Sequence, residues 1–305
     1  MKKAIVTGAT GFVGSWLLEE LLNNNVEVTA LVCDSSEKMN TKVREKIKIV
    51  PYNPNAISDV VDRVGRNFDV FYNLGWAGVS PEKKNAMDIQ MGNIRSSLDS
   101  LVFANKIGCS KFVGVGTVAE YVYCEGSISP SQPPSPADFY GATKVAVHFM
   151  AEALAQQLRQ PFIWTILGST YGARRTDDNL ISYTIKSLLK KEKPTFTKLE
   201  QMWDFTHVSD VTKALYLIGE KGLAGKTYGI GSGAYRPLYE YVSEIHELID
   251  KSLPLGIGER PYPNGRVSSS CVDSVELCED TGFVPMMTFE NGIIQTISYF
   301  KELLP

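Results

Sequence analysis

Three glycines near the start of the chain, Gly8, Gly11 and Gly14, constrain its fold more than any other feature. They follow a short apolar run, and residues 15–22 after them carry apolar side chains at helical spacing. A second apolar run at 26–32 completes the order strand, turn, helix, strand. In such a unit, a glycine turn lets backbone N–H groups at a helix N-terminus approach a phosphate. The alternative is a glycine-rich turn without a ligand. The residues expected to contact a dinucleotide here are Gly8, Gly11, Phe12, Val13 and Gly14.

Strand-like and helical patterns keep alternating along the first half of the chain. Strands are expected at 69–74, 111–117 and 162–167, with helices over 89–107 and over a segment ending near residue 157. This alternation predicts an α/β fold built on a doubly wound parallel sheet of the Rossmann type.

The 305 residues are enough for one large domain or two closely packed ones. We expect residues 1–167 to form the dinucleotide-binding part, with 203–231 returning to it. Residues 168–202 and 232–305 are expected to form a smaller, interleaved substrate-binding part, because the regular alternation stops there. Helices are expected near 180–189 and 211–220, and a strand at 226–230.

A second motif places Tyr140 and Lys144 one helical turn apart. A free tyrosine has a pKa of about 10, which is too high for efficient proton exchange at neutral pH. A lysine charge beside the phenol favours the phenolate, so the pattern predicts a lowered tyrosine pKa. Alone, this spacing is more typical of an ordinary aromatic and cationic pair on a helix. The glycine turn upstream and Thr117 at a strand end favour a catalytic pair.

With these motifs the chain resembles the extended short-chain dehydrogenase/reductases that act on nucleotide sugars, the NAD-dependent epimerase/dehydratase family. The segment 203–211 (WDFTHVSDV) and the segment 280–285 (DTGFVP) also look like family signatures. The resemblance implies an enzyme whose catalytic residues are Thr117, Tyr140 and Lys144. Thr117 would hydrogen-bond the sugar oxygen that gains or loses charge, and Lys144 would also bond the nicotinamide ribose.

The resemblance implies further cofactor contacts from Asp34, Leu74, Trp76, Asn93, Tyr140 and Lys144. Asp34 suits the ribose hydroxyls of NAD, whereas Ser35, Ser36 and Lys38 suit a 2′-phosphate, so NADP or NAD both stay open. Trp76 is either a packing residue or a wall of the sugar pocket.

Implied substrate contacts are Val118, Asn179, Arg260 and Arg266. Asn179 is equally suited to capping a helix. An arginine is expected to clamp the substrate diphosphate, and because Pro263 occupies its usual position, Arg260 or Arg266 would have to replace it.

The reaction follows from the residues after Thr117. Family dehydratases carry an acidic pair there, but this chain has Val118 and Ala119, which cannot transfer protons. Glu120 is one residue further along and would face the other way on an extended segment. We therefore expect a nucleotide-sugar 4-ketoreductase, with a 4-epimerase as the alternative. A 4,6-dehydratase or a non-catalytic NAD(P)-binding protein is less favoured.

Composition adds several expected absences. A net charge of −3 gives no reason to expect nucleic acid as a partner, and no apolar stretch is long enough to predict a membrane span. The cysteines and histidines lack metal-ligand spacing, so no metal site is expected. We expect a cytoplasmic homodimer that binds a nucleotide-sugar substrate.

Overall fold

The structure, a computed structural model, describes residues 1–33, 39–122, 127–175, 177–262 and 270–304. Its strands are β1 (Lys3–Thr7), β2 (Glu27–Val32), β3 (Lys48–Pro51), β4 (Val70–Asn73), β5 (Lys111–Thr117), β6 (Phe162–Leu167), β7 (Ser169–Tyr171), β8 (Met202–Trp203), β9 (Phe205–His207), β10 (Thr227–Ile230) and β11 (Arg236–Pro237). Its α-helices are α1 (Phe12–Asn23), α2 (Thr41–Arg44), α3 (Val61–Val64), α4 (Met87–Lys106), α5 (Phe139–Leu158), α6 (Leu180–Leu189), α7 (Val208–Lys221), α8 (Leu238–Ile249), α9 (Val275–Thr281) and α10 (Phe289–Leu303). Two 3-10 helices span Pro54–Val60 and Val118–Tyr121.

Within these ranges, seven strands form one sheet in the order β3-β2-β1-β4-β5-β6-β10, and all their pairings are parallel. Helices cover both faces. On one face, Leu17 of α1 and Leu215 of α7 belong to the core, and on the other Leu101 of α4 and Val147 of α5 do. Burial on both faces explains why the strands are almost continuously apolar. The predicted doubly wound α/β fold is confirmed.

The strand order reverses at β1, which has β2 on one side and β4 on the other. In open parallel sheets a crevice forms outside the carboxyl ends of the strands at such a point. The ends of β1 and β4 are joined there by side chains: Thr7 Oγ1 donates to Asn73 Oδ1 over 2.8 Å and accepts from Gly75 N over 3.1 Å. The fold therefore places the glycine turn next to the loop after β4.

Element bounds agree closely with the pattern where the pattern was strong. Strand β6 and helix α6 have the predicted limits, while α7 begins at Val208, three residues before the expected start. The reason is a cap, since Nδ1 of His207 accepts the backbone N–H of Ser209.

Three helices of the later part of the chain form a hydrophobic cluster of their own. Helices α6, α8 and α10 enclose a cluster that includes Ile185, Ile245 and Ile297. Strand β10 leaves this region to pair with β6 at the sheet edge. The predicted division of the chain into two parts stays a prediction.

Candidate active site

One cavity of about 2290 Å³ opens at the carboxyl edge of the sheet. Ligand pockets usually measure roughly 300–1,000 Å³, so this one has room for two large ligands side by side. Its walls bring together most of the sequence-predicted site residues. These are Gly8, Gly11, Phe12, Val13, Gly14, Leu74, Trp76, Thr117, Val118, Tyr140, Lys144, Asn179 and Arg260.

The glycine turn is built as a cradle. Gly8 has φ of 69°, and a Cβ there would lie 2.7 Å from Gly75 N. A Cβ on Gly14 would lie 2.1 Å from the Gly8 oxygen, so this glycine lets α1 pack on the turn itself rather than on the sheet. Gly11 caps α1 without a side chain, which leaves backbone N–H groups of the first turn facing the cavity. This arrangement fits the pyrophosphate of a dinucleotide.

The loop after β4 is tied to α4. Asn93 is buried, and its side chain bonds both the N–H and the carbonyl of Ala77 over 2.9 Å. Asn93 is not among the cavity-lining residues, so the structure places it behind the cavity wall. Trp76 on the same loop does line the cavity, and its indole N–H donates to Gln90 Oε1 over 3.1 Å. Direct contact of Asn93 with a cofactor stays a prediction.

Thr117 ends β5 and caps the 3-10 helix Val118–Tyr121. Its Oγ1 accepts from Ala119 N over 3.3 Å, while Glu120 Oε1 accepts from Thr117 N over 2.9 Å. This reciprocal pair is a capping box. The expectation of an extended segment after Thr117 is therefore wrong, because the two side chains stabilise a helical turn instead.

Glu120 is buried and caps Thr117, a role that the sequence analysis did not predict. Its carboxyl group is fully buried, accepts from Trp164 Nε1 over 3.4 Å and lies 3.9 Å from His148 Nδ1. Burial raises its pKa above the usual carboxyl value. The Thr-x-x-Glu spacing was a readable signal for the capping role.

Helix α5 presents the Tyr140–Lys144 pair. Asp138 caps the helix, because its Oδ1 accepts from Gly141 N over 2.8 Å. Lys144 is buried, and its Nζ donates to the Val115 carbonyl over 2.7 Å. The Thr117 side chain lies near the Tyr140 hydroxyl and acts to lower its pKa. The three predicted catalytic residues thus share one wall of the cavity.

The pKa of Tyr140 runs against the sequence expectation. Burial raises it to about 12, which outweighs the lowering by the nearby Thr117 side chain. The predicted lowering by Lys144 is wrong. The physical reason is that burial also lowers the pKa of Lys144, while its ammonium is directed to Val115 rather than to the phenol.

The far end of the cavity holds the predicted substrate contacts. Asn179 Oδ1 accepts from Ile181 N and caps α6, so the capping role is real, and the residue also lines the cavity. Arg260 donates from Nε to Thr195 Oγ1 over 2.7 Å and from Nη2 to Tyr183 Oη over 3.0 Å. Asp34 and Arg266 lie outside the described residues.

Membrane-spanning helices and metal-binding clusters are both absent from the described residues. Among these residues, no helix combines the length and apolar character that crossing a lipid bilayer requires. Nor do they contain a group of three His, Cys, Asp or Glu side chains arranged to hold a metal ion.

A family model described as the NAD dependent epimerase/dehydratase family matches residues 4–231. A dTDP-glucose 4,6-dehydratase of Neisseria gonorrhoeae is 24% identical over 99% of this chain and 96% of its own. The fold resembles that of UDP-glucose 4-epimerase from Thermotoga maritima, with a TM-score of 0.86, 22% identity and coverage of 99% and 100% of the two chains. It also resembles UDP-N-acetylglucosamine 4-epimerase from Methanobrevibacter ruminantium, with a TM-score of 0.88, 19% identity and 99% coverage of both chains. The structural likeness shows the fold, and the family match confirms the resemblance expected from the motifs.

Proposed function

Because the chain belongs to the NAD dependent epimerase/dehydratase family and is an NAD-dependent enzyme, we propose that it catalyses hydride exchange at C4 of a nucleotide-linked hexose. The observation that carries this proposal is the shared cavity, which joins a dinucleotide cradle to the side chains of Thr117, Tyr140 and Lys144. Its volume suits a dinucleotide and a nucleotide sugar together.

The cofactor would be held at one end of the cavity by the glycine turn and the N-terminus of α1. Leu74 and Trp76 would flank its nicotinamide half, beside Lys144, which lies one helical turn from the catalytic tyrosine. Bound there, NAD or NADP supplies hydride transfer to or from the sugar carbon.

In this proposal Tyr140 exchanges a proton with the C4 oxygen of the sugar. Thr117 hydrogen-bonds the same oxygen as its charge changes, since it lines the same cavity as Tyr140. Lys144, on the same helix, would bond the nicotinamide ribose. Burial raises the pKa of Tyr140, so the phenol stays protonated at neutral pH, as a proton donor requires.

Among reactions at C4 we propose reduction of a 4-keto sugar, with 4-epimerisation as the second candidate. The string around Thr117 resembles that of 4-ketoreductases and 4-epimerases. Elimination at C6 is disfavoured, because Val118 lines the cavity where an acid would be needed and Ala119 follows it. Glu120 does not replace that acid, since its carboxyl group is fully buried and caps Thr117.

The substrate would extend from Tyr140 past Val118 to Asn179 and Arg260, which line the far end. Arg260 offers a guanidinium to a diphosphate by charge-assisted bonds. We propose that residues 1–167 with 203–231 hold the cofactor, and that 168–202 with 232–305 cover the substrate.

We also propose that the protein is a cytoplasmic homodimer. Exposed apolar side chains lie on the adjacent helices α4 and α5, and they support a second copy as the partner. These are Met91, Val102, Phe149 and Met150. Such a patch is typical of a protein interface.

The test is to incubate the purified protein with NADH or NADPH and a panel of nucleotide-linked 4-keto-6-deoxy sugars, following absorbance of the reduced cofactor. Stoichiometric loss supports the reductase. Interconversion of ordinary nucleotide hexoses without net loss supports the epimerase instead. Turnover of neither class, with cofactor still bound, refutes hydride exchange at C4.

Two variants serve as controls for that assay. Tyr140→Phe removes the transferable proton, so turnover should fall by about 10²-fold or more while cofactor binding persists. Val118→Asp introduces a carboxylic acid where the family dehydratases carry one. It is the comparison protein for the exclusion of dehydration. The unaltered protein should form no 4-keto-6-deoxy product from a nucleotide-linked glucose, and its appearance at more than a trace rate would overturn the exclusion.

A further inference from the structure

Trp76 contacts both members of the catalytic pair. The Lys144 Nζ atom lies 3.6 Å from the centroid of a Trp76 ring, in cation–π geometry. The same indole meets the Tyr140 ring edge to face, with centroids 6.0 Å apart and planes at 88°. Trp76 is therefore placed to influence where these two side chains lie.

The indole is itself held in place from behind. Its Nε1 donates to Gln90 Oε1 over 3.1 Å, and Gln90 is fully buried on α4. The same oxygen accepts from Asn93 Nδ2 over 3.1 Å, while Gln90 Nε2 donates to the Gly78 carbonyl over 3.2 Å. A buried amide network thus fixes the ring that faces Lys144.

The ammonium of Lys144 needs such a partner. Lys144 is 6% exposed, yet among the described residues one acceptor, the Val115 carbonyl, receives a hydrogen bond from it. The face of the Trp76 ring gives this buried charge a second favourable contact. The titratable groups around it are Glu120 on the 3-10 helix, with His148 behind that carboxylate, and Tyr140 on α5 itself.

We propose that Trp76 is a positioning residue for the catalytic pair, whose ring, anchored by Gln90, holds the ammonium of Lys144 in place beside Tyr140. This rests on the proposed function, because the roles of Tyr140 and Lys144 belong to it. The ring face stabilises the charged lysine in a site where burial favours the neutral form. Removing the ring should make Lys144 lose its proton at lower pH.

The direct test is NMR of protein labelled with carbon-13 at the ε-carbon of lysine, without any substrate. Lys144→Met identifies the Lys144 signal by its disappearance. In the unaltered protein that signal should be displaced upfield by the ring current of Trp76. In Trp76→Leu the displacement should vanish, and the titration midpoint of Lys144 should fall by about one pH unit. Trp76→Phe, which keeps a weaker ring, should lie between the two.

Glu120→Gln is the matched control, since it removes a charge and leaves the ring. It should lower the midpoint of Lys144 while preserving the upfield displacement. An undisplaced Lys144 signal, or the same midpoint in Trp76→Leu, would overturn the proposal. This readout needs no turnover, so it is separate from failure of the C4 assay. Where turnover is found, the alkaline limb of kcat/KM should move by the same amount in Trp76→Leu, which a packing role alone would not do.

Discussion

Acid sensitivity of the fold should come in large part from His207. This residue caps α7, is 1% exposed, and has its ring between Trp16 and Tyr171, with centroids 5.7 and 5.2 Å away. Its Nδ1 lies 2.7 Å from Ser209 Oγ, and among the described residues its buried Nε2 has no hydrogen-bond partner. Burial lowers its pKa to about 4.

An unfolded histidine has a pKa of about 6.5. As the pH falls from about 6.5 to 4, the unfolded chain binds a proton that the folded chain excludes, so stability is lost over that window. For these two pKa values the loss between about pH 7 and 5 is about 2 kcal/mol. Stability from this residue is fully present above the window.

The comparison protein is His207→Asn, which keeps an acceptor at the helix cap but does not titrate. Guanidinium chloride unfolding of both proteins at a series of pH values gives the free energies of unfolding. The loss of ring packing in the variant is the same at every pH, and groups such as His148 titrate in both proteins. The stability advantage of the unaltered protein should therefore shrink by about 2 kcal/mol between about pH 7 and 5. A difference that stays constant over this range would refute the reasoning.

Three further substitutions test the packing. Gly14→Ala should weaken NAD binding at least tenfold in calorimetry, because its Cβ would lie 2.1 Å from a turn carbonyl, whereas Gly92→Ala, with nothing within 4 Å, should leave binding intact. Gly219→Ala should lower the free energy of unfolding by about 1–3 kcal/mol, since its Cβ would lie 1.9 Å from Tyr72 Oη. Adding Tyr72→Phe to this variant should recover part of the loss. Lys111→Met should lower it by about 2 kcal/mol, because Nζ bonds three carbonyls near the end of α7 at 2.8 to 3.3 Å, and an unchanged denaturation midpoint would contradict this.

Local features of the sequence predicted local structure well. The glycine turn and the limits of β6 and α6 follow from short-range patterns, and each appears where the pattern put it. The Thr117–Glu120 capping box is an equally local pattern, but the expectation for this segment was an extended backbone. In this segment, side-chain capping determines the backbone conformation and the alternation of residues does not.

The electrostatics of the site were beyond the reach of local patterns. The Tyr-x-x-x-Lys spacing correctly placed two side chains on one helix, but the direction of the Tyr140 pKa depends on burial by other segments. Asn93 also depends on a distant segment, because its side chain bonds the backbone of Ala77 on the loop after β4. Contacts between distant segments decide these properties, and one sequence does not report them.

The charge on Lys144 illustrates this dependence in full. Burial alone favours the neutral amine, which has no charge to place behind the phenol. Three groups from separate segments oppose that tendency: the Val115 carbonyl on β5, the Glu120 carboxylate on the 3-10 helix, and the Trp76 ring on the loop after β4. A change in any one of them should shift the pH at which the site works without altering the Tyr-x-x-x-Lys motif. The motif therefore places Tyr140 and Lys144 one turn apart on the same helix, while the surrounding fold determines the protonation state of each side chain.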